Sequence, residues 1–342
     1  MCEREQWALI MLPADSEAPS EKKPADVIPH VESAAPVDMR PIEITTHEAA
    51  PCRCSPCNGG RAASAPTPLI VLGLIGFNYI PLVLFLLDQY LDGGRVVSIV
   101  FFHLFLILLL IAYFMAMCTD PGVPPVEWQR QMQQAAARGE SVQVCRRSGL
   151  YKPPRSHYDS VTERLTLNMD HFCPWVANTV GFYNRKFFIL FLVYTNLTLL
   201  VAVVTLLSQA WSAWDWLQDA SGAQRRWFSP GIVNTVIYIA AIVIDVVLLC
   251  LLIPFMQFHL RMATRNETTI EGYTNSKYDV GARGNLQSVF GRELWTWPLP
   301  LYFHGPDGDG LHWPTTDDAR LRESRTVVPR ATSTLPVRSS AA

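Results

Sequence analysis

Residues 96–118 read VVSIVFFHLFLILLLIAYFMAMC, a stretch without Asp, Glu, Lys or Arg and with one ionisable side chain, His103. A helix that crosses the hydrocarbon core of a bilayer needs about 20 apolar residues. A helix buried in a soluble protein usually keeps a polar stripe, whereas this stretch is apolar on nearly every face. The sequence therefore predicts a transmembrane helix over 96–118.

Three further blocks have the same character, at 69–87, 187–211 and 231–258, and the one acid among them is Asp245. Charged residues make up 17% of the chain, below the roughly 25% of ordinary soluble domains. The formal net charge of −2 argues against a nucleic-acid-binding protein, which carries a basic excess. We predict an all-α integral membrane protein with four transmembrane helices.

The basic residues predict how the chain lies in the membrane. The loop 119–186 carries nine of them: Arg130, Arg138, Arg146, Arg147, Lys152, Arg155, Arg164, Arg185 and Lys186. The two other connections carry three: Arg95, Arg225 and Arg226. Because Lys and Arg accumulate in cytosolic loops, we expect a multi-pass protein whose two termini and middle loop are cytosolic.

The two ends of the chain differ in composition from the blocks between them. Residues 1–66 and 304–342 are rich in Ala, Pro, Ser and Thr and show no sustained apolar period. Such segments cannot bury enough apolar surface to offset the entropy of ordering, so both are predicted to be disordered. Residues 259–303 are expected to form a cytosolic segment after the fourth span.

Three cysteines, Cys52, Cys54 and Cys57, precede the first predicted span by about a dozen residues. Juxtamembrane cysteines are common sites of S-acylation. Three thiols could also hold a metal, but a structural zinc needs four ligands and no fourth lies nearby in the sequence. We favour acylation over metal binding, and give a cluster without function a weight comparable to acylation.

Residues 169–175, in the loop 119–186, read MDHFCPW and contain the candidate reactive residues. In an extended segment, His171 and Cys173 project to the same side because side chains alternate. A nearby imidazole favours the thiolate, the reactive form of cysteine, and a carboxylate such as Asp170 can orient that imidazole. Cysteine and histidine two residues apart are by themselves also typical of an ordinary loop or an isolated pair of zinc ligands.

The string from Asp170 to Cys173, on a loop between the second and third spans, resembles the Asp-His-His-Cys signature of the DHHC family of protein S-acyltransferases. Other stretches match that family in the same order: 120–122 (DPG), 152–157 (KPPRSH), 174–184, 268–271 (TTIE) and 278–291. The resemblance covers about residues 69–291. The chain is most similar to divergent fungal members with DHFC- or DHYC-type signatures.

The resemblance implies an acyltransferase that takes palmitate from palmitoyl-CoA and passes it to cysteines of membrane-associated proteins. It implies that Cys173 carries the acyl group, that His171 acts as acid and base, and that Asp170 orients His171. Trp175 is expected to contact the acyl chain, with simple anchoring at the membrane interface as the alternative. Three residues are expected to meet the CoA headgroup, or else to serve only as positive-inside anchors: Arg146, Lys152 and Arg155. Three others are expected to brace the catalytic loop: Thr269, Glu271 and Asn285.

The sequence departs from the family at the positions where its members bind two zinc ions. The first site falls on Cys145, Ser148, Tyr158 and Leu165, and the second on Asp159, Thr162, Phe172 and Thr179. Seven of these eight ligands are substituted, so we expect no zinc and no other bound cofactor. We expect a hydrophobic cluster of Tyr158, Leu165 and Phe172 to replace the metal.

An inactive relative that acts as a membrane scaffold is the main alternative, and the substituted zinc ligands favour it. The intact Asp170, His171 and Cys173 favour the enzyme. A transporter ranks third, because the four blocks offer no polar pathway beyond a single acid. For that acid, Asp245, we expect hydrogen-bond partners on the third span: Thr195, Asn196 and Thr198.

Overall fold

The computed structural model describes residues 66–87, 93–218, 232–272 and 276–319. Within these ranges there are six α-helices: α1 Pro66–Leu87, α2 Gly93–Cys118, α3 Val126–Ala137, α4 Arg185–Gln218, α5 Ile232–Arg265 and α6 Ala282–Phe290. Four short strands lie between α3 and α4: β1 His157–Asp159, β2 Arg164–Thr166, β3 His171–Cys173 and β4 Asn178–Val180. The cysteines at 52–57 and the predicted disorder of residues 1–65 lie outside the described residues.

The long helices coincide with the four apolar blocks. Three stretches in the described part of the chain are long and apolar enough to cross a membrane: Gly93–Cys118, Arg185–Ser208 and Ile237–Arg265. Helix α1, Pro66–Leu87, contains the block 69–87 but is not among these three stretches. Large apolar side chains such as Val100 and Ile107 on α2 and Val243 on α5 are about half exposed, as expected for a surface that faces lipid rather than water.

Helix α4 packs against both α2 and α5. The main core cluster joins Tyr113 of α2 and Phe188 and Phe191 of α4 to Cys173 and Val180. The hairpin of β3 and β4 is therefore continuous with the packing of the helices. Because this hairpin carries the predicted reactive residues, the core also fixes the position of the candidate site.

The partners expected for Asp245 are wrong. Asp245 is fully buried in α5, but the hydroxyls of Thr195 and Thr198 donate to carbonyls of their own helix. Asn196 donates to carbonyls of α4 and α5 instead. Asn78 of α1 lies near Asp245, since α1 and α5 also pack together, and neither Asp245 carboxylate oxygen has a hydrogen-bond partner among the described residues.

The region 119–186 is not all-α, which corrects the fold prediction there. An isolated bridge joins Val144 to Tyr151, β1 pairs with β2, and β3 pairs with β4, all antiparallel. The strands are three residues long, too short to show the alternating pattern that identifies strands in a sequence. Three consecutive hairpins therefore separate α3 from α4.

Residues 304–319 are ordered, which corrects the predicted disorder of that part of the tail. The Trp313 ring lies edge-on to Phe182 at 5.7 Å and 4.3 Å from the guanidinium carbon of Arg155. Gly310 has a φ of 74°, and a Cβ there would meet the Phe182 ring at 3.1 Å. One large aromatic residue and one glycine thus let this polar segment pack over the hairpins.

Candidate active site

The β3–β4 hairpin presents the predicted reactive residues next to the helices. His171 lies opposite Val180 and Cys173 opposite Asn178, so His171 and Cys173 share one face of an extended strand. The Asn178 side chain donates to carbonyls of Ala116, Met117 and Thr119 at 2.9–3.1 Å. These carbonyls at the end of α2 have no partner within the helix, so Asn178 both satisfies them and ties the hairpin to α2.

Asp170 lies directly before β3 and is fully buried. Its Oδ2 accepts a hydrogen bond from Nδ1 of His171 at 2.6 Å, and its Oδ1 accepts one from the Thr269 amide at 3.0 Å. The Thr269 hydroxyl also donates to the Asp170 carbonyl, and Arg185 Nη2 lies 3.7 Å from Oδ1. Burial acts to raise the pKa of Asp170, but the His171 hydrogen bond and the Arg185 charge outweigh it and lower that pKa.

The same pairing changes the proton affinity of His171. Burial acts to lower its pKa, but hydrogen bonds with Asp170 and Cys173 and the charge of Asp170 raise the pKa of His171 to about 10. His171 is therefore an imidazolium at neutral pH, and its cation lies beside the Cys173 thiol. An imidazolium beside this thiol can give its proton to a departing group, so the arrangement is suited to acid–base chemistry at Cys173.

Cys173 lies where the hairpin meets the apolar helices. Its residue exposure is 4%, and it belongs to the core cluster that includes Tyr113. The Tyr113 hydroxyl donates to the Trp175 carbonyl at 3.1 Å, and the Thr67 hydroxyl of α1 donates to the Pro174 carbonyl. Trp175 itself is half-exposed. A chain attached to Cys173 would therefore start next to the surfaces of α1 and α2.

Of the three residues expected to meet a CoA headgroup, Arg146 is exposed and Lys152 is partly exposed. Arg155 corrects the prediction, because its side chain is 1% exposed. It donates to both carboxylate oxygens of Glu271 at 2.6–2.7 Å, and its guanidinium carbon lies 4.8 Å from the Tyr278 ring and 4.3 Å from the Trp313 ring. The guanidinium is fully engaged inside the protein and does not face a phosphate.

Of the three residues expected to brace the catalytic loop, Thr269 contacts it directly, whereas Glu271 and Asn285 contact other parts of the protein. Thr269 holds Asp170, and Glu271 holds Arg155, as described above. The Asn285 side chain donates to the Thr264 carbonyl at 2.8 Å and to Asp279 at 2.6 Å, which joins α6 to the end of α5. A buried cation missed by the sequence analysis, Lys186, donates to the carbonyls of Thr296 and Leu301 at 2.9 and 2.7 Å.

Two residues around Asp170 were not assigned to the site from the sequence. Arg185 was counted among the basic residues of the loop, and His259 was treated as part of the region after the fourth span. Both are buried at the ends of long apolar helices. An ionisable group at such a place usually faces protein interior, and this signal would have identified both.

The residues at the family's zinc positions do not fit a metal. No group of three or more His, Cys, Asp or Glu within the described ranges is arranged to hold an ion. At the first site, Tyr158 and Leu165 face each other across β1 and β2, and Ser148 hydrogen-bonds the Cys145 thiol.

At the second site, a carboxylate occupies the centre. Asp159 Oδ2 accepts hydrogen bonds from the hydroxyls of Thr162 and Thr179, and its Oδ1 accepts the Val161 amide at 2.8 Å. Asp159 and Thr179 are buried. Leu165 is buried as expected, but polar hydrogen bonds rather than apolar packing hold the second zinc position. The prediction of one hydrophobic cluster in place of the metal is therefore wrong.

These features define an integral membrane protein whose hairpin domain presents an aspartate, a histidine and a cysteine where it meets the long apolar helices. The model of the DHHC palmitoyltransferase family matches residues 139–276. Probable protein S-acyltransferase 13 of Arabidopsis thaliana is 35% identical over 271 residues, which cover 72% of this chain and 87% of that relative. Probable protein S-acyltransferase 12 of the same plant is 31% identical, with 77% and 97% covered.

The human palmitoyltransferase ZDHHC20 is 29% identical over 66% of this chain and 68% of its own length. The chain belongs to the DHHC palmitoyltransferase family. Its similarity to fungal members stays a prediction from the signature alone.

Proposed function

We propose that this protein is a protein S-palmitoyltransferase that moves palmitate from palmitoyl-CoA, through an acyl-Cys173 intermediate, to cysteines of membrane-associated proteins. One observation carries the proposal: Asp170 holds His171 at 2.6 Å, and Cys173 follows two residues later on the same face of β3. The relatives named as S-acyltransferases and palmitoyltransferases support the same activity. An inactive scaffold would have no need to keep this buried, charge-paired arrangement.

The first half-reaction uses the pair in its resting state. The Cys173 thiolate attacks the thioester carbonyl of palmitoyl-CoA, the bond from that carbon to the CoA sulfur breaks, and His171 gives its proton to the departing CoA thiolate. The products are acyl-Cys173, CoA thiol and a neutral His171. Asp170 keeps the other ring nitrogen protonated throughout, so the imidazole stays in the correct tautomer.

The second half-reaction regenerates the pair. A cysteine thiol of the protein substrate gives its proton to His171 and attacks the acyl-Cys173 carbonyl. The bond to Cys173 sulfur breaks, and Cys173 leaves as a thiolate beside the new imidazolium. Each buried methylene of the acyl chain contributes about 0.8 kcal/mol, which favours a site for the chain among the apolar helices that meet Cys173.

The proposed topology has four membrane spans, α1, α2, α4 and α5, with both termini and the hairpin domain on the cytosolic side. The high density of basic residues in 119–186 supports this orientation. The contact between Thr67 and Pro174 also supports α1 as a span, because it brings the N-terminal end of α1 to the membrane face where Cys173 lies. Arg146 and Lys152 remain the proposed contacts for CoA phosphates, and Trp175 the proposed contact for the acyl chain.

We also propose that the hairpin domain holds its shape without zinc and binds no cofactor. The centre of the second zinc position is taken by the Asp159 carboxylate with the Thr162 and Thr179 hydroxyls. Structural zinc contributes folding free energy directly, and here hydrogen bonds and hairpin packing would supply it. Metal analysis of the purified protein tests this, and a stoichiometric zinc ion would refute it.

Autoacylation tests the main proposal. Wild type and Cys173→Ser are expressed in membranes in a background that lacks Cys52, Cys54, Cys57 and Cys118, and are given a clickable palmitoyl-CoA analogue. We expect a hydroxylamine-sensitive label on the background protein and none on Cys173→Ser. A well-folded protein that acquires no label would refute the enzyme and favour the scaffold.

A further inference from the structure

The Asp170 carboxylate faces a second imidazole, His259 of α5. The His259 side chain is 2% exposed, and its Nδ1 lies 3.9 Å from Oδ2 of Asp170. That oxygen is the one that accepts the hydrogen bond from Nδ1 of His171. One carboxylate oxygen is therefore approached by two imidazoles, one from β3 and one from a long apolar helix.

Aromatic packing fixes the His259 ring in this orientation. Phe255 and Phe258 of α5 lie edge-on to the ring at 4.6 and 5.0 Å, and Phe188 of α4 does so at 5.0 Å. Phe188 also lies edge-on to His171 at 5.2 Å. The two imidazoles, with centroids 5.6 Å apart, thus share an aromatic wall, and His259 keeps its Nδ1 edge toward Asp170.

The surroundings also decide which nitrogen of His259 carries the proton. Nε2 is buried without a hydrogen-bond partner among the described residues. A protonated Nδ1 points its N–H at the charged Oδ2 of Asp170, whereas an unprotonated Nδ1 would point a lone pair at that charge. The proton therefore belongs on Nδ1, where it points at the negative charge of Asp170.

We propose that His259 is a positioning residue for acyl transfer, donating its Nδ1 proton to the Asp170 oxygen that also holds His171. The inference rests on the proposed function. The Thr269 amide fixes Oδ1 of Asp170, and a donor on Oδ2 would fix the second oxygen. Without a donor on Oδ2, the Asp170 carboxylate and the His171 ring could rotate together, which would misplace the imidazole that transfers the proton. The 3.9 Å separation exceeds a hydrogen bond, so on this proposal Nδ1 moves within hydrogen-bonding distance of Oδ2 when substrate binds, as catalytic contacts often do.

Three substitutions separate hydrogen-bond donation from packing. In His259→Asn the side-chain amide nitrogen takes the place of Nδ1, whereas in His259→Gln it takes the place of Nε2. His259→Phe keeps the ring volume and removes both nitrogens. We expect the Phe and Gln variants to form acyl-Cys173 about five- to tenfold more slowly, as expected for one lost hydrogen bond. We expect His259→Asn to recover most of the rate, and all variants to keep the palmitoyl-CoA concentration that gives half-maximal labelling.

A second readout does not need acyl-CoA. Alkylation of Cys173 by iodoacetamide, followed by mass spectrometry of its peptide, reports the His171–Cys173 pair directly, with His171→Ala as the reference for a lost pair. We expect the same order of alkylation rates: fast in the wild type and in His259→Asn, and slow in His259→Gln and His259→Phe. Equal rates in all variants, or equal losses in Asn, Gln and Phe, would overturn the role of His259. Fast alkylation without any acyl-enzyme in the wild type would overturn the proposed function instead.

Discussion

Replacing Asp159 by alanine should open the β1–β2 hairpin, because the hydrogen bonds of this carboxylate hold the turn between the two strands. Asp159 occupies the centre of the second zinc position. The change removes the acceptor for the Val161 amide and for the Thr162 and Thr179 hydroxyls. Thr162 is partly exposed and can turn to water, but Thr179 is fully buried. A buried polar group left unpaired costs about 1–3 kcal/mol, and each ordinary hydrogen bond about 1 kcal/mol, so we expect a local loss of about 2–4 kcal/mol.

Amide hydrogen exchange is the appropriate assay, since unfolding of a multi-helix membrane protein is not a two-state process. Because each 1.4 kcal/mol changes an equilibrium constant tenfold, exchange of the backbone amides in 157–166 should accelerate roughly 30- to 700-fold. Glu163→Gln, an exposed carboxylate in the same turn, is the matched control and should exchange like wild type. Equal exchange in Asp159→Ala and Glu163→Gln would refute the argument, as would hairpin opening by a zinc chelator in the wild type.

Three other perturbations test the remaining contacts of the site. Arg155→Met leaves Glu271 buried without its partner, a local cost of about 3–5 kcal/mol, and should lower the apparent unfolding temperature in detergent relative to the exposed control Arg146→Met. Asn178→Ala removes the side chain that joins the hairpin to the Ala116, Met117 and Thr119 carbonyls, of which Ala116 and Thr119 keep only long hydrogen bonds from Asn184. It should slow acyl-Cys173 formation about tenfold or more, because the hairpin loses this anchor. In the wild type, the autoacylation rate should persist until the pH rises through about 10, the raised pKa of His171. In Asp170→Asn the rate should fall near pH 6.5, because His171 then regains the ordinary pKa of histidine. A wild-type decline already near pH 6.5 would contradict this assignment.

The sign of the pH dependence follows from the two shifts. His171 has a raised pKa in the folded protein, so its contribution to stability is full below 6.5 and disappears as the pH rises through about 10. Asp170 has a lowered pKa, so its contribution is present above 3.8 and disappears as the pH falls below that value. The pair is therefore intact across the neutral range, and stability measurements should show losses on both sides of it.

The sequence was most informative where the chemistry is local. Asp170, His171 and Cys173 lie within four residues, so their geometry depends mainly on whether the segment is extended. The spans were predicted because a bilayer demands long apolar helices. Arg155 was misplaced because the sequence gives its charge but not its neighbours, and its partners Glu271 and Trp313 lie more than a hundred residues away. The order of residues 304–319 escaped prediction for the same reason.

The contacts around β3 give a physical reason why zinc can be dispensable for catalysis in this chain. Cys173 is located by Asn178 on the end of α2 and by the helix core, and Asp170 is located by Thr269 after α5. The Asp159 network does reach the catalytic hairpin through Thr179 of β4, but the contacts that hold Cys173 and Asp170 are those with the helices and with Thr269. The Asp159 network therefore sets how firmly the outer hairpin closes, while the position of the nucleophile depends on the helices. It follows that Asp159→Ala should loosen residues 157–166 far more than it slows formation of acyl-Cys173.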